Sequence, residues 1–189
     1  MIIEKQVVLN ACLFPKISWF QKAVRFENVL LSEEEKYRKE NHPNRYSIAA
    51  AGGRIELTVP LSGGRNQKSK MNKLVIANDL WKRKHWQTIQ SSYGKAPYYL
   101  YYADAIHEVI FSNTKEFSDL CLKSIQVMGK EMKLKTKFSI THEIAGVSLI
   151  DNTETPIYPQ VFSDRNAFQK DLSVIDLLFN TGPDALNYL

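Results

Sequence analysis

The feature that most constrains the fold lies within residues 7–31, where an apolar run, a short helical pattern and a second apolar run follow one another. The run "VVLNACLF" at residues 7–14 is almost continuously apolar, which is typical of a strand covered on both faces. Residues 17–26 repeat apolar side chains at helical spacing, and "NVLL" at residues 28–31 predicts a second buried strand. These 25 residues predict a βαβ unit with parallel strands and a right-handed crossover.

The loops that follow these two strands are the first candidates for a site. In open α/β sheets, ligands bind beyond the carboxyl ends of the strands, which points to the loops after Phe14 and after Leu31. The second loop, residues 32–45, is dense in charge and has no apolar period. That pattern indicates either a long functional loop or a short solvated helix.

Short strands are expected in the next part of the chain. "RYSIAAAGGRIELTVPL" predicts two strands around Gly52-Gly53 and therefore a hairpin. "KLVIAND" predicts one more short strand.

The second half of the chain is predicted to be mainly helical. Three segments with helical apolar spacing follow from Trp81, and Gly94 ends the first of them. "LKTKFSITHEIA" alternates with period two, which predicts a strand with His142 on its buried face. Ser173 and Asp176 have capping-box spacing and predict the start of a terminal helix.

Together these patterns predict the fold class. We expect a single α/β or α+β domain over residues 1–189, with an N-terminal βαβ-like unit and a mixed sheet followed by a mainly helical second half. At 189 residues and 44% apolar composition, the chain is long enough for one core and short for two.

Composition and missing motifs exclude several classes of protein. The N-terminus does not resemble a signal peptide and no stretch approaches about 18 apolar residues, which predicts a cytoplasmic protein without a transmembrane segment. The motifs of nucleotide-binding loops, serine hydrolases and zinc proteases are lacking and the four histidines are scattered, so we expect no cofactor and no metal. A net charge of only +5 and the lack of a DNA- or RNA-binding motif argue against nucleic acid as a partner.

An aromatic and basic segment extends from Trp81 to Tyr102. Its 22 residues, "WKRKHWQTIQSSYGKAPYYLYY", contain two of the three tryptophans and five of the nine tyrosines. A buried core seldom needs so many polar tips, because each requires a partner once it leaves water, so we expect a ligand site. His85 stands beside basic residues that favour a neutral imidazole, which suits a general base; the alternative is a surface histidine stacked on an indole.

The pair Asn44-Arg45 leads into the first hairpin strand. A guanidinium at the mouth of a strand can bind phosphate or carboxylate bidentately. The alternative is a salt bridge with Glu33, Glu34 or Glu35.

Several of these segments together resemble a known family. "LFPKISWFQKA", "LTVPL", "SSYGKAPYYLYY" and "LSVIDLLFNTGPDALNYL" are similar, in order and spacing, to segments of the WbqC-like family of bacterial proteins, and the resemblance extends over residues 7–189. It implies a role connected with O-antigen and related surface-polysaccharide gene clusters. The positions shared with the family are Glu35, Tyr37, Lys39, Asn44, Arg45, Trp81, His85, Tyr93, Pro97, Tyr102, Gln160 and Asp176.

One departure from the family pattern bears on chemistry. Many members carry His-Gln-Pro at the end of the first strand, where this chain has Leu9, Asn10 and Ala11. If that histidine is a catalytic base in those members, this protein either uses another residue, for which His85 is the candidate, or has lost the chemistry.

The leading hypothesis is a transferase that moves an acyl, aminoacyl or sugar-modifying group onto an activated saccharide or a nucleotide-linked small molecule. His85 would deprotonate the acceptor, while Arg45 and Lys39 would hold its phosphate. The other residues predicted to bind the ligand are Glu35, Tyr37, Asn44, Trp81, Tyr93, Tyr98 and Tyr102. The alternative is a non-catalytic binding or assembly protein of the same pathway. The sequence leaves the oligomeric state open.

Overall fold

Strands lie mostly in the first half of the chain and helices mostly in the second. The computed structural model describes residues 4–38, 42–63, 68–144 and 154–189. In chain order, the strands and α-helices are β1 (Glu4–Asn10), α1 (Ile17–Ala23), β2 (Phe26–Ser32), β3 (Arg45–Ala50), β4 (Gly53–Thr58), α2 (Leu80–Tyr93), α3 (Tyr99–Ile110), α4 (Phe117–Glu131), β5 (Lys137–Thr141) and α5 (Val174–Thr181). Short 3₁₀ helices cover Met71–Lys73 and Gly182–Tyr188.

The first three elements form a parallel βαβ unit, as predicted. β1 and β2 pair in parallel, α1 connects them, and β5 pairs in parallel with the other edge of β2. Asn10, Ser32 and Thr141 are aligned across the three strands. The carboxyl ends of all three strands therefore lie at one edge of the sheet, where the segments that follow them are brought together.

The predicted hairpin forms a second, antiparallel sheet of β3 and β4, so the strands make two sheets instead of one mixed sheet. Other groups bond along β3: the Ser173 amide donates to the Ser47 carbonyl at 2.8 Å, and the Ala49 amide donates to the Tyr93 hydroxyl at 3.0 Å. Because these backbone groups are already satisfied, β3 does not offer them to a further strand.

The prediction of a strand at "KLVIAND", residues 73–79, is wrong. The segment begins in the 3₁₀ helix Met71–Lys73, and its next amides bond to different parts of the chain: Ile76 to the carbonyl of Lys115, and Ala77 to that of Pro60, both at 2.9 Å. Since consecutive amides have partners on different segments, no ladder forms and only isolated bridges remain.

The prediction that His142 lies on a buried strand face is also wrong. β5 ends at Thr141, and the His142 side chain is 82% exposed, with its Nδ1 2.9 Å from the Glu33 carboxylate. The period-two pattern continued past the last hydrogen-bonded pair, so alternation alone did not determine where burial stops.

The helices of the second half enclose the core. α4 buries one stripe of side chains along its length, which comprises Phe117, Leu120, Cys121, Ser124, Ile125 and Met128. Every residue of α5 is buried, as expected for a helix surrounded by other elements. None of the helices in the described ranges has the length and apolar character that crossing a bilayer requires.

Candidate functional site

A pocket of about 430 Å³ opens beyond the carboxyl end of β1. One wall is formed by residues 9–16 together with Trp19 and Lys22 of α1. The other wall is formed by the hairpin and the turn before it, and comprises His42, Pro43, Arg45, Tyr46, Ser47, Arg54 and Glu56. The pocket therefore lies at the strand end where the α/β sheet geometry predicts a ligand.

A tight turn at residues 42–45 supplies part of the second wall. The Arg45 amide donates to the His42 carbonyl at 2.9 Å, which closes a four-residue turn with Pro43 at its second position, where a fixed φ is favoured. The Leu13 amide donates to the Pro43 carbonyl at 3.0 Å. The two walls of the pocket are thus joined by a backbone hydrogen bond.

Tyr37 and Asn44, both predicted to bind the ligand, brace this turn from behind. The Tyr37 hydroxyl donates to Asn44 Oδ1 at 3.0 Å, and Asn44 Nδ2 donates to the Val59 carbonyl at 2.8 Å. Asn44 is buried and its amide is used by these bonds. Their effect in the structure is to fix the backbone that carries Arg45; direct contact with a ligand stays a prediction.

The pocket is lined by more basic than acidic side chains. Its basic lining residues are Lys16, Lys22, Arg45 and Arg54. Glu56 is the acidic lining residue, and its carboxylate lies 3.5 Å from Arg45 Nη1. Lys16 pairs with Asp171 at 3.6 Å, and Arg54 donates to a backbone carbonyl in the segment before α5. Four cations against these two carboxylates leave an excess of positive charge, which favours an anionic ligand.

Lys22 is held in the same wall as a partly buried amine. Burial and the neighbouring Arg25 lower the pKa of Lys22 from its ordinary value, while Asp171 acts in the opposite direction. A bound anion would offset that desolvation, since it favours the charged form of the amine.

The pocket also concentrates backbone strain. Of the four non-glycine residues with positive φ in the described ranges, Phe14 (42°) and His42 (40°) line the pocket, and Asp171 (51°) pairs with its Lys16. Such conformations cost about 1–3 kcal/mol each and cluster at functional sites. Buried hydroxyls hold Phe14: Ser124 Oγ accepts from its amide at 3.2 Å and Ser173 Oγ donates to its carbonyl at 2.9 Å.

His85 lies behind the pocket, separated from it by Tyr46. Its ring is 3% exposed, and its Nδ1 is 3.0 Å from the hydroxyl of Tyr46, which lines the pocket. Burial lowers the pKa of His85 to about 4, with a smaller contribution from the nearby Lys84. A hydrogen bond to the backbone of Thr58 acts in the opposite direction. The imidazole is therefore neutral at pH 7. Because the ring donates its one N–H to the backbone of Thr58, Nδ1 accepts from the Tyr46 hydroxyl.

Tyr93 belongs to a buried network around Asp176. Its hydroxyl donates to Asp176 Oδ1 at 2.6 Å, while the Tyr158 hydroxyl and Gln160 Nε2 donate to Oδ2 at 2.5 and 3.2 Å. Burial raises the pKa of Asp176 although these three bonds oppose it. Through the Ala49 amide, which donates to Tyr93, the network joins β3, α2, α5 and the segment before α5.

None of the remaining predicted residues that the structure describes lines the pocket. Trp81 is 5% exposed and packs edge-to-face on His85 with ring centres 4.9 Å apart. Tyr98 and Tyr102 are half-buried at α3. The Glu35 carbonyl accepts from the Met71 amide at 2.9 Å, and Lys39 lies outside the described residues.

Of the ten predicted site residues, Arg45 is therefore the one that lines this pocket in the described part of the chain. The structure adds residues that were not predicted as site residues: Lys16, Trp19, Lys22, His42 and Arg54. For Lys16, Trp19 and Lys22 the available signal is position, since they lie in the loop and helix that follow β1. The rule on strand ends indicated that loop, but not the hairpin residues that face it.

Comparison with known proteins places the chain among its relatives. It matches the model of the WbqC-like protein family over residues 11–155 and 146–188. This chain belongs to the WbqC-like protein family. It is similar to "Uncharacterized protein Rv1507c" of Mycobacterium tuberculosis (strain ATCC 25618 / H37Rv), with 19% identity over 229 residues, 99% coverage of this chain and 98% of the relative. No solved structure matches the chain.

In this member of the WbqC-like family, the positions singled out by the resemblance are mostly internal. Tyr93 and Gln160 both donate hydrogen bonds to Asp176 inside the protein, and Asn44 braces the turn that presents Arg45. Within the described ranges, no cluster of three or more His, Cys, Asp or Glu side chains is arranged to hold a metal ion. What the pocket offers chemically is a preformed cationic surface with an indole and an imidazole in its walls.

Proposed function

We propose that this WbqC-like protein binds an activated, phosphate-bearing saccharide in the pocket beyond β1 and acts as a transferase in surface-polysaccharide biosynthesis. The observation that carries the proposal is the cationic lining, to which the segment after β1 contributes two lysines and the hairpin contributes two arginines. Phosphate groups suit such a site because guanidinium groups bind them bidentately and lysines bind them as point charges. A cytoplasmic location, where nucleotide-activated sugars are made, is part of the same proposal.

The size and composition of the pocket support a saccharide with phosphate attached. Its volume of about 430 Å³ lies within the range of small-molecule sites. Trp19 lines it, and its ring is fixed by a 3.2 Å hydrogen bond from Nε1 to the Asn10 carbonyl. An indole face held in this way offers apolar surface to a sugar ring.

His85 has a positioning role in this proposal. Its ring bonds to Tyr46 and reaches the pocket only through that phenol. Burial favours the neutral imidazole, which keeps an acceptor directed at the Tyr46 hydroxyl. Tyr46 in turn packs edge-to-face on Phe14 with ring centres 5.1 Å apart, so the pair supports the strained end of the first wall.

Calorimetric titration and thermal-shift measurements with nucleotide sugars, sugar phosphates and inorganic pyrophosphate test the proposal. A ligand at a hundred times its Kd stabilises the protein by about 2.7 kcal/mol, which raises Tm by about 5–10 °C for a chain of this size. Arg45→Ala should weaken binding about 10- to 100-fold, since a hydrogen bond to a charged group contributes about 1.5–3 kcal/mol.

Arg83→Ala is the matched control, because Arg83 is exposed on α2 and does not line the pocket. We expect it to bind as the wild type does. An equal loss of affinity in both variants would mean that the effect of Arg45→Ala comes only from the change in net charge. If the wild type bound no phosphate-bearing compound, the proposal would be refuted.

A non-catalytic binding or assembly protein of the same pathway is the second candidate. The observation that favours it is the composition of the pocket wall at the end of β1, where Leu9, Asn10 and Ala11 stand in place of the His-Gln-Pro of many relatives. Tight binding of a nucleotide sugar without turnover in the presence of acyl and aminoacyl donors would support this candidate over the transferase.

A further inference from the structure

His42 is a pocket residue with one ring nitrogen that lacks a hydrogen-bond partner among the described residues. It lines the cationic pocket, and its Nδ1 is buried with no hydrogen-bond partner among the described residues. The side chain as a whole is only half-buried. Since Nδ1 is buried, Nε2 is the ring nitrogen that remains for a ligand in the pocket to reach.

The other three histidines are occupied elsewhere. His85 is buried and bonded to Tyr46, and His142 is bonded to Glu33 at the end of β5. The His107 ring stacks on Phe111 with ring centres 4.2 Å apart. None of these three histidines lines the cationic pocket. Of the four, His42 is therefore the imidazole that a ligand in this pocket would meet.

The turn at residues 42–45 sets His42 beside the anion-binding Arg45. The two residues are the first and fourth of a hydrogen-bonded turn, so their Cα atoms lie within about 7 Å of each other. His42 adopts φ of 40°, a conformation that a non-glycine residue rarely takes and that persists only where surrounding contacts enforce it. The Leu13 to Pro43 hydrogen bond supplies such a contact.

We propose that His42 is the general base of this pocket, and that it acts on a hydroxyl or amine of the saccharide whose phosphate is held by Arg45. This inference rests on the function proposed above. The saccharide oxygen or nitrogen forms a bond to the carbonyl carbon of an activated acyl donor, and its proton passes to His42 Nε2. The bond from that carbon to the leaving group breaks, and the leaving group departs with the electron pair.

The position of base and cation on one turn restricts the substrate class. The reacting hydroxyl or amine must lie close to the phosphate, within the span of the two side chains. A sugar that carries its phosphate on the anomeric carbon and reacts at a neighbouring ring position meets this condition. A long spacer between the phosphate and the reacting group does not.

Chemical modification tests the assignment without a known donor. Diethyl pyrocarbonate acylates accessible, unprotonated imidazoles, and peptide mass mapping locates the product. In the wild type at pH 7, we expect His42 and the exposed His142 to be modified and His85 to be spared. Inorganic pyrophosphate should slow modification of His42 at least fivefold and leave His142 unaffected. In Arg45→Ala, His42 should still react but lose the protection.

Binding measurements separate a base from an anion-binding cation. His42→Asn removes the imidazole, and asparagine tolerates the positive φ of this position better than most residues. We expect pyrophosphate affinity to stay within about twofold of the wild type, against at least a tenfold loss in Arg45→Ala. His142→Asn is the matched control and should change neither affinity nor the labelling of His42.

The outcomes distinguish this inference from the proposed function. Failure of the wild type to bind pyrophosphate or any phosphorylated sugar would refute both. Binding by the wild type together with unreactive His42, or with no protection of His42 by pyrophosphate, would overturn the role of His42 alone. A loss of affinity in His42→Asn equal to that in Arg45→Ala would also overturn it, because His42 would then hold the anion.

Discussion

Replacement of Asp176 is the most direct test of the buried network that holds the helices to the hairpin. Asp176 is 0% exposed and accepts hydrogen bonds from Tyr93, Tyr158 and Gln160. Asp176→Ala removes the acceptor for both phenols. Gln160 loses less, because its amide also donates to the Gln169 carbonyl at 3.0 Å.

The expected cost follows from these partners. Two buried hydroxyls lose their acceptor, and each unsatisfied group costs about 1–3 kcal/mol, so Asp176→Ala should lower the free energy of unfolding by about 2–6 kcal/mol. Asp176→Asn keeps the shape and one acceptor oxygen, and should cost about 1–3 kcal/mol. A domain of this kind is stable by only about 5–15 kcal/mol, so the alanine variant will be marginal.

The stability of Asp176→Asn as a function of pH provides a second test, which depends on the pKa of Asp176. Burial raises the pKa of Asp176 above its ordinary value of 3.8. The native state therefore holds the proton over a range in which the unfolded state has released it, and wild-type stability falls as the pH rises through that range. The asparagine variant lacks this contribution, so its deficit relative to the wild type should shrink as the pH rises from 3.8.

Urea unfolding followed by circular dichroism, at several pH values, measures both quantities. A double-mutant cycle with Tyr158→Phe should show a coupling of at least about 0.5 kcal/mol, since the two groups share one hydrogen bond. A cost below about 1 kcal/mol for Asp176→Ala, or additivity in the cycle, would refute the view that this carboxylate organises the network.

Two further substitutions test local arguments by urea unfolding. Gly182 adopts φ of 56° and lies against the Tyr98 ring, so Gly182→Ala should lower the free energy of unfolding by more than about 1 kcal/mol. Gly52→Ala is the control and should change stability little, because nothing lies within 4 Å of the added carbon. Equal effects of the two substitutions would contradict the packing argument. His85→Phe leaves the Tyr46 hydroxyl without its acceptor and should cost about 1–3 kcal/mol at pH 7. Burial lowers the pKa of His85 from 6.5 to about 4, so the stability of the wild type drops as the pH falls through that window. The stability deficit of His85→Phe relative to the wild type should therefore narrow at low pH. A deficit that does not change with pH would contradict a neutral, buried imidazole.

The aromatic segment between Trp81 and Tyr102 shows how tertiary structure changes the meaning of a pattern. Its polar tips need partners when buried, which made a ligand site the natural prediction. In the fold, the Tyr93 hydroxyl finds its acceptor on Asp176, 83 residues away in sequence. A partner at that distance leaves no local signal, and the sequence alone could not separate a ligand-binding tyrosine from one that is satisfied internally.

The site is a second case. The rule on strand ends pointed to the loops after Phe14 and after Leu31, and Arg45 was predicted separately, at the mouth of the first hairpin strand. Arg54 and His42 complete the pocket from a hairpin and a turn that belong to a different sheet. Their approach depends on long-range contacts such as the Leu13 to Pro43 hydrogen bond, which no spacing in the sequence reveals.

The sequence by itself determined those features that arise from interactions between neighbouring residues. The βαβ unit, the hairpin and the stripe of α4 follow from apolar periods and turn residues, because those act over a few positions along the chain. The tertiary structure decided the separation into two sheets, the burial of His85 and the inward direction of Asp176. Ser173 does cap α5, with its Oγ accepting from the Ile175 amide at 3.3 Å, but Asp176 bonds to two tyrosines instead of completing the capping box. Each of these outcomes depends on which distant group satisfies a polar atom, and that is determined only when the chain has packed.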